Sequence, residues 1–444
     1  MQGLQAATPD SSGILIPVPS RIAIIGGGLT GLTAAIRLAE AGHEVTLFEA
    51  APAAGGRTRS FFEPTMQQLC DNGPHLLIGA YRATRTLLQD CAADHHLHWQ
   101  PSLSLPLWDQ PRGHFCFQPA ALLPFPLAIL QAAATLPGHS LHSATAMLRM
   151  AIALQRKAPP LADHVREWLQ SLRIPAELVR DMLEPLCLGA MNEAMDTACP
   201  HSFKRVLQES FASRRDACLG WFNGPLQTTL IEPLLNKASS LAVRIHTGHR
   251  VRQLEVQHGK AVLDDHRFDA AILALPAHAA DRLLKQPAST ETRAITNIHL
   301  WLDEPVSMPA PLVGCIGGTG QWYFDISRQW HHSLPGQHLC AVISADHESH
   351  DHPALVMRCR HELARLCSLP KLPELVHSRV VREQRATTLV RPAKAPRQLP
   401  ACIIDASERP LPGQLPATIE AAIRRGEQAA AAYINGTSVH RLPI

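Results

Sequence analysis

The residues best suited to chemistry stand near the start of the chain. Gly26-Gly27-Gly28-Leu29-Thr30-Gly31 is a G-x-G-x-x-G run, Glu49 lies 21 positions after Gly28, and Gly55-Gly56-Arg57 follows. Such a set cradles a dinucleotide. Gly26 permits a tight turn, Gly28 lets backbone approach a pyrophosphate, and Gly31 lets a helix pack closely on a strand. A carboxylate at Glu49 can accept ribose hydroxyls. Gly56 permits a second close approach, and the Arg57 guanidinium can neutralise phosphate in a fixed fork. Two histidine-rich runs, Asp94-His95-His96-Leu97-His98 and Asp346-His347-Glu348-Ser349-His350-Asp351-His352, look like metal ligands. Neither has the H-E-x-x-H spacing, so both are expected to be solvated loops, and no metal is expected.

These residues need a strand before them, a helix behind and a second strand beyond. Ile22-Ala23-Ile24-Ile25 is the first strand. Leu32, Ala35, Ile36 and Ala39 recur at helical spacing up to Gly42, and Glu44–Phe48 is the second strand. The helix start offers free N–H groups to phosphate oxygens. Further on, apolar residues at helical spacing across Pro175–Met191 predict another helix, and Leu415-Pro416-Ala417-Thr418-Ile419-Glu420 opens a third that runs to about Ala432.

Composition bounds the rest. A chain of 444 residues suggests two or three folding units. Hydrophobic residues at 46% and charged residues at 18% require a packed globular protein. A net charge of +3, spread along the chain, argues against a nucleic-acid partner. Eleven cysteines without a C-x-x-C pair fit a reducing compartment, so a cytoplasmic location is expected. Residues 1–20 read as a loose leader. Gly113–Leu148 is 36 residues without Asp, Glu, Lys or Arg. Pro124 and Pro126 break it, so it suits core, substrate wall or a segment dipping into one leaflet better than a spanning helix.

The G-G-R after the acidic residue resembles the flavoprotein superfamily of amine oxidases and phytoene desaturases, in which it covers the FAD pyrophosphate. Arg250-Val251-Arg252-Gln253-Leu254 resembles that superfamily's strand facing the adenine, and Phe268–Pro276 its returning strand. Within the superfamily one family is matched in several places. Asp71-Asn72-Gly73-Pro74-His75-Leu76-Leu77-Ile78-Gly79-Ala80-Tyr81-Arg82 resembles the "DNGxHLLxGaYr" signature of hydroxysqualene dehydroxylases. Leu186–Asn192, Glu383-Gln384-Arg385-Ala386-Thr387 and Leu415–Glu420 resemble its "LCxaaLN", "EkRAT" and "LPATIE".

The resemblance implies an α/β fold: a Rossmann-type FAD domain from 21–80, 225–280 and 380–435, interleaved with an α+β substrate domain from 81–224 and 281–379. It implies FAD held by Gly26, Gly28, Gly31, Glu49, Gly56, Arg57, Gly73, Val251, Asp405 and Thr418. The implied partner is a long-chain isoprenoid like hydroxysqualene, with peripheral contact at the inner face of the cell membrane. The implied reaction is reductive removal of the hydroxyl, with His75 and Tyr81 as catalytic candidates and Asp71 as a turn cap. Where the family carries Gly-Asp-Trp-Thr, this chain has Ile404-Asp405-Ala406-Ser407, and a Cβ at Ile404 is expected to crowd the pyrophosphate. Carotenoid-type desaturation and amine oxidation share the scaffold. A non-catalytic prenyl-binding protein on the same fold is the alternative from another class. The aromatic cluster Trp322-Tyr323-Phe324 is a candidate for core or for cavity lining.

Overall fold

The computed structural model describes residues 19–287, 290–331, 335–347, 351–392 and 397–436. Most of the leader and residues 348–350 of the second histidine run lie outside them. A five-stranded parallel sheet runs in the order Arg244–His246, Glu44–Phe48, Arg21–Ile25, Ala270–Leu273, Ile403–Asp405. Its central strands are apolar along their length because both faces are covered, one by the helices that include Leu29–Glu40 and Ile419–Ile434 and the other by Ala261, Leu263 and Phe268 of an antiparallel meander. The Leu29–Glu40 helix follows the glycine run as the sequence requires. A Cβ at Gly31 would lie 1.9 Å from the Gly26 carbonyl oxygen, so helix and strand meet only through glycine. The Ile419–Ile434 helix crosses the first helix equally closely: a Cβ at Gly426 would lie 2.5 Å from the Thr30 carbonyl oxygen.

A small antiparallel meander, Leu254–Gln257, Lys260–Leu263 and His266–Phe268, sits beside this sheet. Its first turn has positive φ at His258 (54°) and Gly259 (74°), the combination a two-residue hairpin turn demands. Two expectations need correction here. Arg250–Gln253 is extended chain outside any ladder, since the strand starts only at Leu254, and Phe268–Pro276 divides into two strands with a break at Asp269.

The second sheet has seven strands, in the order Leu375–Thr388, Thr292–Leu302, Gln337–Asp346, Trp322–Asp325, Leu312–Ile316, Leu105–Asp109, Gly113–Phe117. The last two come from within 81–224, so this sheet draws on both segments expected for the substrate domain. Side-chain alternation sorts its two faces. Ile298, Leu300, Tyr323 and Leu339 pack under the His352–Leu366 helix. Trp322, Phe324 and Cys340 face the helical layer, so the aromatic cluster is core on both sides rather than a cavity wall. Asn297, His299 and Trp301, alternating with the Ile298 row, point away from the His352–Leu366 helix.

Within the helical layer, Ala176–Met191 forms one rod with a π-turn at Val179–Leu183. That turn carries Asp181, fully buried, gripped by both Nη atoms of Arg112 at 2.6 and 2.7 Å and by His139 at 2.8 Å. Burial opposes its ionisation, but the Arg112 bonds prevail and hold the carboxyl down at about 2. Asn192 ends the rod in the left-handed region (φ 52°). Its side chain donates to Thr387 Oγ1 (2.8 Å) and accepts from the Ala345 N–H (2.6 Å), riveting the helical layer to two strands.

Candidate active site

The five-stranded sheet, the Gly55–Arg59 loop and the Ile419 helix border a cleft of about 660 Å³. Of the residues expected to hold the cofactor, Gly26, Gly28, Glu49, Gly56, Arg57, Val251 and Thr418 line it. Gly28 has ordinary extended dihedrals (φ −78°, ψ −177°), and a Cβ there would meet nothing nearer than the Gly56 Cα at 3.9 Å. Its missing side chain therefore leaves room for an occupant rather than for packing. Glu49 accepts the Gly27 and Ala51 N–H groups, each at 2.7 Å, which fixes the carboxylate at the cleft wall with lone pairs to spare for hydroxyls. Thr418 caps its helix by accepting from the Ala421 N–H (3.1 Å), and the free N–H groups of that first turn face the cleft. Two glycine approaches, a fixed carboxylate and two helix starts fit FAD.

Arg57 stands at the cleft edge but is not a free cation. It pairs with Glu408 and donates to the Ala386 carbonyl (2.7 Å). Burial works against the Glu408 charge, but Arg57 outweighs it and holds the carboxyl near 2. Glu408 and the buried Arg425 also line the cleft, and sequence reasoning missed both. The helical spacing from Thr418 puts Arg425 two turns in, which is the one signal that pointed to it.

Four other expected residues sit elsewhere. Gly31 serves packing, as described. Gly73 lies outside the cleft: a Cβ there would strike Asn297 Oδ1 at 2.4 Å, so this glycine admits a neighbouring strand. Asp405 also lies outside, bonded to Arg397 (2.8 Å) and to the Ser407 N–H (3.0 Å). Tyr81 lines neither this cleft nor the cavity described next. Its ring packs into the core under the Ile419 helix, which removes the geometric basis for a catalytic role. The Ile404 side chain is buried in the same core and does not crowd the cleft. Where the family motif has glycine, this chain turns the isoleucine inward.

A second, narrow cavity adjoins the first, and His75 lines both. Its walls include Trp221, Phe222, Leu226, Ile326 and Trp330, and its polar members are Asp71, His75, His299, Gln329 and His338. Burial, helped by the nearby Arg57 charge, pushes the His75 ring down to about 4, so it is neutral at ordinary pH. Asp71 caps no following turn. Its Oδ1 accepts from Ser60 Oγ (2.6 Å) and from the Leu226 N–H (2.9 Å), 155 residues away. Burial raises this carboxyl to about 7. Neither His299 nor His338 stood out in the sequence, because an isolated histidine in a strand carries no motif.

Among the described residues no group of three or more His, Cys, Asp or Glu is placed to hold a metal ion. The first histidine run forms a short turn and a strand in which His98 stacks on Trp221.

A Rossmann-type cleft that shares His75 with an aromatic-walled cavity fits a dinucleotide-dependent oxidoreductase. The family model for flavin containing amine oxidoreductases matches residues 29–392, and the chain belongs to that family: it is an FAD-dependent oxidoreductase. It is 28% identical over 444 aligned residues to a hydroxysqualene dehydroxylase of Sinorhizobium fredii, covering 95% of this chain and 100% of that one. It is 23% identical to a 15-cis-phytoene desaturase of Glycine max, over 64% of this chain and 54% of that one. Among solved structures, an oxidoreductase from Methanosarcina mazei has the same fold, with a TM-score of 0.68, 17% identity and coverage of 94% and 100%.

Proposed function

We propose that this protein reductively dehydroxylates a long isoprenoid alcohol of the hydroxysqualene type. The observation that carries the reading is the cavity beside the FAD cleft: apolar and aromatic walls for a hydrocarbon, with a carboxyl and imidazoles for one hydroxyl. The Sinorhizobium fredii relative, aligned over nearly the whole of both chains, supports it. The reaction adds two electrons and two protons: the alcohol carbon gains a hydride, and the hydroxyl takes one proton and leaves as water. When bound and reduced, FAD supplies the hydride. The protein's share is to exclude water, orient the hydroxyl and move the proton. Asp71 retains a proton near neutrality and lines the cavity, so it is the proton source in this reading. Neutral His75 has no acidic proton to give and serves as an orienting group between the two spaces. The cavity is narrow and far smaller than a whole thirty-carbon chain. It suits the reacting part of the substrate, with the remaining chain extending beyond it.

The substrate would come from a membrane, and exposed apolar side chains of the helical layer suit that approach. Leu122 (99% exposed), Leu141 (79%) and Leu161 (96%) stand out from it, with Leu127, Leu148 and Ile152 also exposed on the Phe125–Ala134 and Leu141–Gln155 helices. Arg156 and Lys157, both exposed, close the second helix. Apolar projections beside basic residues are the pattern of a protein that lies on an anionic bilayer. Among the described residues no helix is long and apolar enough to cross one.

The test is anaerobic incubation of the chemically reduced, FAD-loaded protein with hydroxysqualene, followed by extraction and chromatography. Squalene formed in step with flavin reoxidation is the expected result. Reoxidation without squalene, or no reoxidation, overturns the reading.

A further inference from the structure

The histidines of the second cavity form an ordered chain with a defined direction. Gln68, buried behind the cavity, directs its amide Nε2 at His338 Nδ1 (3.5 Å). An amide nitrogen only donates, so His338 Nδ1 is the acceptor and its ring proton sits on Nε2. His338 Nε2 lies 3.0 Å from His299 Nδ1. That nitrogen must therefore accept, and the His299 proton is displaced to its own Nε2. His299 is 2% exposed, and its Nε2 is buried without a hydrogen-bond partner. Trp301 stacks on His338 with ring centroids 4.3 Å apart, and Phe61 meets His299 edge-on at 6.2 Å, so each imidazole has an aromatic neighbour. A buried N–H without a partner is rare in folded proteins and marks a place where something else completes the bond.

We propose that the His299 Nε2–H is the donor that recognises the substrate's hydroxyl oxygen and so distinguishes an isoprenoid alcohol from the corresponding hydrocarbon. The assignment rests on the dehydroxylase reading and narrows it to one atom. His299 contributes a hydrogen bond and no proton: burial keeps its ring down at about 4, and giving up the remaining N–H would leave an imidazolate. Its role is to hold the oxygen while the cavity's carboxyl protonates it. Gln68 and His338 are positioning residues, whose work is to keep the His299 proton on Nε2. A cavity built this way rejects a hydrocarbon because the hydrocarbon leaves the N–H unpaired.

The experiment measures binding to the oxidised, FAD-loaded protein, which has no hydride to deliver, so affinity is read apart from turnover. Hydroxysqualene and squalene are titrated in the same detergent, and the perturbation of the flavin absorbance is followed. The wild type is expected to bind the alcohol roughly 10-fold or more tightly than the hydrocarbon. His299→Phe is expected to bring the two within about 2-fold by weakening the alcohol alone, while His299→Gln, which keeps an N–H, retains part of the preference. If His299→Phe fails to hold FAD, the pair His299→Leu with His338→Leu, which leaves no orphaned imidazole, replaces it with the same expectation. Equal binding by the wild type, or an undiminished preference in the variant lacking the His299 ring, overturns the assignment. A wild type that prefers the alcohol but forms no squalene when reduced rejects the dehydroxylase reading and leaves His299 in place. Squalene formation together with an undiminished preference in that variant does the reverse.

Discussion

Gly28 and Gly31 stand three residues apart in one turn, yet an added methyl would meet different things. At Gly28 it would project into the cleft, whereas at Gly31 it would strike the Gly26 carbonyl oxygen at 1.9 Å. Gly28→Ala should therefore leave the FAD-free protein within about 1 kcal/mol of its parent in chemical denaturation, while weakening FAD binding at least roughly 10-fold by flavin titration. Gly31→Ala should fail earlier, as loss of soluble folded protein. Asp71 gives a second prediction at this scale. Its folded carboxyl keeps a proton up to about 7, whereas the ordinary value is 3.8. Between these limits the folded state binds more protons than the unfolded state, so stability falls as pH rises through the window. Asp71→Asn preserves the acceptor for the Leu226 N–H and removes the titration. Its stability relative to the parent should rise from pH 4.5 to 7.5, measured by denaturation at both; a difference that does not change with pH would refute the buried protonated carboxyl. The same variant should lose most dehydroxylation.

Among the elements, the Ile419–Ile434 helix ties the most together. Its fully buried Glu420 accepts the Ala83 and Thr84 N–H groups at 3.1 and 2.9 Å, capping the Arg82–Asp90 helix across more than 330 residues, and also receives Arg424 (2.7 Å). Glu420→Ala strands a cap and half of an ion pair, and should cost about 3 kcal/mol in urea denaturation. Contacts of this kind explain which parts of the fold were legible. The strand–glycine–helix–strand unit was readable because its parts follow one another in the chain: Gly26, Gly28, Gly31 and Glu49 all fall within one strand–helix–strand stretch. The C-terminal helix and the apolar rod ending at Met191 were readable from periodicity. The inward turn of Ile404, the departure of Gly73 and Tyr81 from the site, and the approach of His299 and His338 were not. Each depends on which residue from a distant strand lies opposite, and no local spacing records that. Asn192 and Glu420 belonged to recognised motifs, but only the folded chain shows that they act as rivets rather than in chemistry.

The molecule as a whole presents two unlike surfaces. The FAD cleft carries charge paired internally, as in Arg57 with Glu408, while Leu122, Leu141 and Leu161 leave apolar side chains exposed. Replacing Leu122 and Leu141 together by Asp should reduce co-sedimentation with vesicles containing an anionic lipid several-fold. FAD content and turnover of substrate in detergent should stay near wild type, because neither residue lines the cleft or its adjoining cavity. Loss of detergent turnover in parallel would show instead that these residues support the helical layer.

The order of strands in the five-stranded sheet also has a consequence during synthesis. The centre strand ends at Ile25, and the edge strand that completes the sheet ends at Asp405, some 380 residues later. At about 5–20 residues per second a ribosome takes roughly 20–80 s to cover that interval. For all of that time the first glycine turn lacks the helix at Ile419, and the apolar Ala270–Leu273 strand, once made, has one open edge. FAD therefore cannot be locked in until the Ile419–Ile434 helix has been made. Until then the unfinished sheet is the stretch that a chaperone would have to shield. Pulse-labelled chains should become protease-resistant in one late step rather than progressively, and added FAD should shorten only that step.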